Sequence, residues 1–528
     1  MSVVFLLRSV LAALLLAVGV ADLVTRSHAV TYNVDEIANV DAIYNFLSSG
    51  DYTSARFGGV PFDPFISSGV LATWPHGIAL TLGQSLFVAR VASGLLVLLA
   101  AVLLIYGFLR SKGFSSSTSL LVASGLWLVQ SVLPIHRDQL IMNSGEVWAF
   151  LYLCVGLVLA DKAPRLAAFF WGLSTWLCKF VYLPFTLACL LAGAGAELHR
   201  DGEWRFSRFV RLTLPRFAAF LLPLGLWVLV MSVRYGPTAL PNWIERYLFV
   251  IRYHADGNMW GNASPFLQGP TGLLLTTFLA LAAGPLALLA HTWLRPREER
   301  NPASARLWML TAGAGVAVIV TVWFIAFDVT QNARHLLPAM YVSMAIAVYC
   351  VADVWRGVRR RKPVLTRVAT ALSLGVLVWI CVTLIEHRAE QNWRMSYAET
   401  CRGPALLVPP CQQDLALWLT YDPKSDLRSP PSSCDNECFA EFKQKVFSHG
   451  RRLMDERAAE AELYTAAYLM LLLQQNTLYQ DESGYARDVE PILCAAGSDV
   501  YRRYLTEAGL DVAGIVSRCE AGMWGNSD

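Results

Sequence analysis

Again and again along this chain, apolar residues run on for long enough to cross a lipid bilayer. Such stretches lie near 3–24, 84–109, 115–134, 144–160, 214–232, 270–291, 307–327, 336–353 and 366–386, each close to the ~17–25 residues that a spanning helix needs. With 55% hydrophobic and 16% charged residues, the chain departs from the roughly 25% charge of soluble proteins and reads as an integral membrane protein. A longer run, 166–193, carries Lys179 near its middle. A single straight helix would bury that ammonium at the bilayer centre at a cost of at least ~2.5–3.5 kcal/mol, so the run is expected to be two short helices meeting at a polar turn. The expected fold is therefore an all-α polytopic bundle of about eleven transmembrane helices.

The charged residues orient it. With a cytoplasmic N-terminus, the inner loops "RSKG", "DKAPR", "ELHRDGEWRFSRFVRLTLPR", "TWLRPREERNPASAR" and "DVWRGVRRRKPVLTR" carry 19 Lys or Arg against 7 in the opposite loops, the bias that sets topology. A net charge of +3, spread over short loops, excludes nucleic acid as a partner. The chain is expected in the cytoplasmic (inner) membrane with everything after residue 386 outside. Of eleven cysteines, Cys154, Cys178, Cys189, Cys350 and Cys381 fall in apolar segments, whereas Cys401, Cys411, Cys434, Cys438, Cys494 and Cys519 fall in the polar tail. An even number in an outer tail implies disulfides, and "CDNEC" lacks the second matched pair that a zinc site needs. The small-residue "SHA" before Val30 admits a cleaved signal peptide, but the apolar core before it exceeds the usual ~7–15 residues and favours an uncleaved first span.

Three parts follow: 1–83, a first span and a long outer loop with an acidic motif; 84–386, the polytopic bundle; and 387–528, an outer domain. In the loop, Ile37, Val40, Ile43, Tyr44 and Leu47 recur at helical spacing over 34–49, after which "SSGDY", "FGGVPFDP" and "SSG" read as turns. The tail, Pro- and Cys-rich and then helical near 439–458, 462–478 and 498–508, is expected to be a small disulfide-stapled helical domain. Its "YTAAYLMLLL" run is too short for a further span.

Acidic residues beside a membrane usually sit in solvent, and that reading suffices for Asp41. Asp35 and Glu36 stand apart. They follow directly on a span, on a face that also gathers Arg137, Lys179, Arg334 and His335. Carboxylates opposite cations at headgroup depth suit a substrate that carries an anionic headgroup and a nucleophile to deprotonate.

A span, then "DE", "SSGDY", "GGVPFDP" and "TWPHGIALTLGQSLFVARVAS" resembles the GT-C class of membrane glycosyltransferases, in particular the protein O-mannosyltransferase and lipid A aminoarabinose transferase group. Arg90 matches the arginine that this group carries early in its second span. "GLSTWLCKFVYLPFTL" resembles its glycine-to-lysine hairpin and "NARHLLPA" its Arg-Tyr-Leu-Leu-Pro segment, with His335 in place of the usual Tyr; "TWPHG" lacks the doubled Pro of many members. The likeness covers roughly residues 1–390, and the tail matches nothing.

The resemblance implies a transferase that moves a hexose or pentose from a polyprenyl-phosphate donor to an acceptor hydroxyl on the outer membrane face, with inversion. Asp35 is the expected general base and Glu36 its orienting neighbour. Lys179, Arg334 and His335 are expected at the donor phosphate, and Asp138, Glu146 and His76 at the acceptor or sugar. The acceptor is a lipid, a glycan or a protein. No cofactor or metal ligand is implied, and dependence on a divalent cation stays open. Each residue has a plainer role as well: Lys179 can snorkel or pair with a carboxylate, Arg334 can be an ordinary loop cation, and His76 can be structural. Trp74, Trp243 and Trp260 suit interface anchors or sugar stacking, and the "NAS" sequon at Asn262 is short enough to arise by chance.

A transporter or flippase with a charged path is the rival from another class, and a silent scaffold that docks partners through its tail is a third. Against transport, no inverted repeat is visible. Reporter fusions at positions 163, 300 and 360 are expected to read as inside and one at 528 as outside; an inside signal at 528 would remove one span and the disulfide argument together.

Overall fold

In a computed structural model of the chain, every regular element among the described residues is helical, as an apolar environment requires of a backbone that must satisfy its own hydrogen bonds. The structure describes residues 3–29, 34–50, 68–82, 86–132, 145–237, 271–294, 305–327 and 333–361, with isolated positions 52, 241, 244 and 517. The expected span at 366–386, Cys381, the tail helices and the six tail cysteines lie outside the described residues. The described cysteines Cys154, Cys178, Cys189 and Cys350 are free thiols.

In chain order the helices are α1 (Val3–Ala29), α2 (Val34–Ser49), α3 (Val70–Thr81), α4 (Leu86–Ser111), α5 (Ser116–Val132), α6 (Glu146–Leu159) and α7 (Pro164–Gly172). A π-helical turn, Leu173–Cys178, and a 3-10 turn, Phe180–Tyr182, lead into α8 (Leu183–Asp201). There follow α9 (Phe206–Tyr235), α10 (Thr271–Leu294), α11 (Ala305–Phe327), a 3-10 turn at Ala333–Leu336, and α12 (Leu337–Arg361). Six stretches among the described residues are long and apolar enough to cross a membrane: Phe5–Ser27, Val88–Ser111, Phe180–Asp201, Phe206–Tyr235, Leu307–Ile325 and Leu337–Trp355. Shorter apolar helices lie at Ser116–Leu128, Glu146–Leu159 and Thr277–Trp293. The protein is an integral membrane protein.

The chain divides into two compact units. One comprises 1–27, 63–79 and 85–387; the other comprises 28–62, 80–84 and 388–528. Within the second, α2 forms where helical spacing predicted it, buries Val40 and Ile43, and leaves Leu47 exposed. Phe46 meets Tyr52 edge to face at 5.7 Å. Helix α3 is the element the sequence reading missed. Its twelve residues carry Pro75 inside the helix, where the sequence suggested only the entry to the second span.

The first unit packs α4 on α5, α6 and α9 on α7, α11 on α8, and α10 and α11 on α12. At the end of the bundle where α4 and α10 finish, the Asp353 carboxylate of α12 accepts from Lys112, and its second oxygen lies 3.1 Å from His291 Nε2. The Lys112 ammonium also stands 4.6 Å above the Tyr349 ring.

Within α10, Pro285 has no N–H to offer the carbonyl four residues back, so Leu281 O is released from the ladder. The Ser343 hydroxyl of α12 donates to that oxygen at 2.7 Å and itself accepts from the Gly284 N–H at 2.8 Å. One serine thus satisfies both groups at a proline inside an apolar helix, where an unmet carbonyl has no water to turn to. Ser343→Ala is expected to destabilise the detergent-solubilised protein by about 1–2 kcal/mol, read as a lowered thermal midpoint; an unchanged midpoint would show that the helix satisfies itself.

Candidate active site

The expected break in the 166–193 run is present, and it lies at Lys179. The α7 helix loosens into the π-helical turn, and Lys179 is extended (φ −153°, ψ 115°) before the 3-10 turn begins. The break is closed locally. Lys179 N donates to Ser174 O at 3.0 Å and Tyr182 N to Lys179 O at 3.1 Å, while the Thr175 and Thr186 hydroxyls join the two sides at 2.8 Å.

Two other segments meet this break. Gly69 N donates to Cys178 O at 2.7 Å, an approach so close that a Cβ on Gly69 would lie 2.3 Å from Leu177 O. Gly145 caps α6 in the left-handed conformation (φ 79°), which glycine adopts without steric cost. A side chain there would also meet Ser68 Oγ at 2.7 Å. Glycines at two points let three backbone segments converge.

The convergence sets Glu146, the first residue of α6, against Lys179. Their charged atoms are 3.6 Å apart, with the carboxylate side chain 3% and the lysine 18% exposed. A carboxylate at a helix N-terminus is favoured by the helix dipole, and Lys179 supplies the opposite charge that burial demands. The pairing is incomplete, since among the described residues Glu146 Oε2 and the buried Tyr182 hydroxyl have no hydrogen-bond partner. Tyr182 and Tyr341 both lie within electrostatic reach of Glu146.

From Tyr341 and Phe150, whose rings are 5.1 Å apart, an apolar cavity of about 150 Å³ opens between helices. It runs past Cys154 and Met344 to Phe108 and Tyr349, so one end adjoins the first turn of α6 and the other the Lys112–Asp353 pair. Its walls can hold hydrocarbon and little else.

Other expected site residues are placed differently. His76 in α3 is 1% exposed, and both its ring nitrogens lack a partner among the described residues. Its electrostatic neighbour is Arg90, itself 1% exposed and donating to Ser27 O at 3.2 Å. Trp74, two residues before His76 in α3, packs at 6.3 Å from Trp148 of α6. His335 is partly buried in the 3-10 turn before α12. Asp35 and Glu36 belong to the second unit; their side chains, that of Arg334, and all of Arg137 and Asp138 lie outside the described residues. Gly69, Tyr182 and Tyr341 were not anticipated. Only Tyr182 carried a local signal, being three residues from Lys179 and so one turn along.

Among the described residues no three His, Cys, Asp or Glu side chains gather as a metal site would require. The arrangement can hold an anion at Lys179 and a hydrogen-bond donor at Glu146, with an apolar cavity that starts one turn further along α6 at Phe150.

No protein-family model and no curated protein matches the chain. Two solved structures are similar over most of its length. ArnT from Cupriavidus metallidurans bound to undecaprenyl phosphate is 14% identical, with 93% of this chain and 81% of that one covered at a TM-score of 0.46. The apo state of the same protein is 15% identical, covering 92% and 79%, with a TM-score of 0.45.

Burial, and secondarily Arg90, lowers the His76 pKa from 6.5 to about 3, so the imidazole is neutral near pH 7. Below pH ~6.5 the unfolded chain takes up a proton that the folded protein refuses until about pH 3, and folding loses stability across that interval. His76→Gln is therefore expected to flatten the fall in thermal midpoint between pH 6.5 and 4. An equally steep fall in the variant would assign the acid sensitivity to other groups.

Proposed function

We propose that the protein is a GT-C-type glycosyltransferase that takes a sugar from a polyprenyl-phosphate donor and passes it, with inversion, to an acceptor hydroxyl at the outer face of the membrane. The observation that carries this reading is the buried Glu146–Lys179 pair at a broken helix in an apolar bundle, 3.6 Å between charges, beside a cavity suited to hydrocarbon. A phosphodiester on a lipid cannot leave the bilayer for a soluble pocket, so its cation must be held at headgroup depth. The order of the motifs along the chain supports the same class.

In this mechanism Lys179, with Arg334 and His335, offsets the charge that grows on the departing phosphate, as cationic clamps do. Asp35 takes the proton of the acceptor hydroxyl while that oxygen attacks the anomeric carbon from the face opposite the phosphate. The new glycosidic C–O bond forms as the C–O bond to phosphate breaks, and the polyprenyl phosphate leaves with the electron pair. Glu36 orients Asp35, and Glu146, Asp138 and His76 line the sugar or the acceptor. The N-terminus is inside and the tail domain outside, about eleven spans apart.

Two variants test the roles. Asp35→Asn is expected to keep binding of a C55 polyprenyl phosphate while lowering turnover by the ~10²–10⁴ of a lost general base. Lys179→Gln is expected to weaken that binding at least tenfold. Wild-type turnover in Asp35→Asn would move the base elsewhere, and unchanged lipid binding in Lys179→Gln would remove the phosphate from this site.

A further inference from the structure

The Glu146–Lys179 pair has more capacity than one ion pair uses. The lysine ammonium has three donors and is the more exposed partner, whereas the carboxylate is 2% exposed as a residue with Oε2 unpartnered among the described residues. The Tyr182 hydroxyl is fully buried, close enough to feel the Glu146 charge, and likewise unpartnered. A buried carboxylate oxygen without a donor costs free energy that a ligand can recover. An incoming phosphate on Lys179 competes with Glu146 for the ammonium. Once displaced, the carboxylate would remain buried and unpaired unless the same ligand supplied it with a hydrogen-bond donor.

We infer that Glu146 is a selectivity group that exchanges counter-ions: on binding it gives up Lys179 to the ligand's phosphate and takes, with the Tyr182 hydroxyl, a hydroxyl or ammonium hydrogen from the sugar attached to that phosphate. This rests on the proposed function and extends it. The site is built for an anion and a donor on neighbouring atoms, and it discriminates against the bare polyprenyl phosphate that is left after transfer. The two charged atoms stand 3.6 Å apart, close enough for one ligand to reach both. Product release then has a physical cause, because without the sugar the carboxylate competes again for Lys179. Ammonium and hydroxyl are alternative donors of the same hydrogen bond, and the choice of sugar separates them.

Opposed effects distinguish this from a structural role. Binding of a C55 polyprenyl monophosphate, and of the same lipid carrying a hexose, a pentose, or an amino sugar with its amine free or acetylated, is measured on the full-length protein in nanodiscs. Glu146→Gln removes the negative charge that competes for Lys179, so it is expected to tighten the bare phosphate about three- to tenfold. It is expected to loosen the best sugar-bearing lipid at least tenfold, as loss of a charged hydrogen-bond acceptor does. Sensitivity to acetylation of the amine assigns the donor as an ammonium, and insensitivity assigns it as a hydroxyl; either result, with opposed shifts, supports the exchange. Shifts in the same direction for both lipids, or in neither, would overturn it. Wild-type protein that binds neither lipid would overturn the proposed function and this inference with it. Should Glu146→Gln fail to fold, Glu146→Asp serves, since withdrawing the carboxylate by one methylene is expected to shift the two lipids in the same opposed directions by smaller factors.

Discussion

A charged lysine in the middle of an apolar run is the constraint on which the site depends. The ammonium of Lys179 cannot lie in hydrocarbon unpaired, and an unbroken helix would hold it there. The chain breaks its helix instead, with a π-helical turn on one side and a 3-10 turn on the other. Glu146 of α6 supplies the opposite charge. Two glycines follow from that arrangement: Gly69 because its amide bonds Cys178 O, and Gly145 because the cap of α6 turns left-handed beside Ser68.

The rest of the first unit meets the same difficulty wherever a polar group is buried. Ser343 serves the carbonyl released by Pro285, and Trp171 and Trp176 donate their indole N–H groups to Leu153 O and Phe220 O across helix contacts. At the far end, Asp353 gathers Lys112 and His291. Among the described residues, buried polar atoms without a hydrogen-bond partner remain at Glu146 Oε2, Tyr182 and His76, as they do at Ser119, Trp127, Thr213 and Thr277; Glu146 differs from the rest in carrying a charge opposite Lys179. Incomplete pairing of buried polar groups costs stability, and a site that takes a ligand is one place where such a cost has a return.

Much of the architecture was legible in advance because a bilayer asks one question of each segment, whether it is long and apolar enough. The spans around α1, α4, α8, α9, α11 and α12 answered it by composition alone, and the break at Lys179 followed from the cost of burying one charge. Helix α3 was not legible. Twelve residues with an internal proline lie below the length at which helical periodicity is decisive, and most of its side chains are buried by packing against the unit around it. Of the site, Lys179 and Glu146 were both singled out in the sequence, but as separate candidates with different partners. Nothing in their spacing of thirty-three positions pairs them.

By itself, then, the sequence determined that this is a helical membrane protein, where most of its long helices run, and that Lys179 must interrupt one of them. Those conclusions rest on local quantities, segment length, apolarity and the cost of an isolated charge, which need no knowledge of neighbours. Only the tertiary structure decided that the counter-charge is Glu146, that Tyr182 and Tyr341 lie within its electrostatic reach, and that an apolar cavity begins one turn along at Phe150. These are contacts between segments distant in the chain. They depend on glycine-sized gaps and on capping conformations that acquire meaning once the helices are packed.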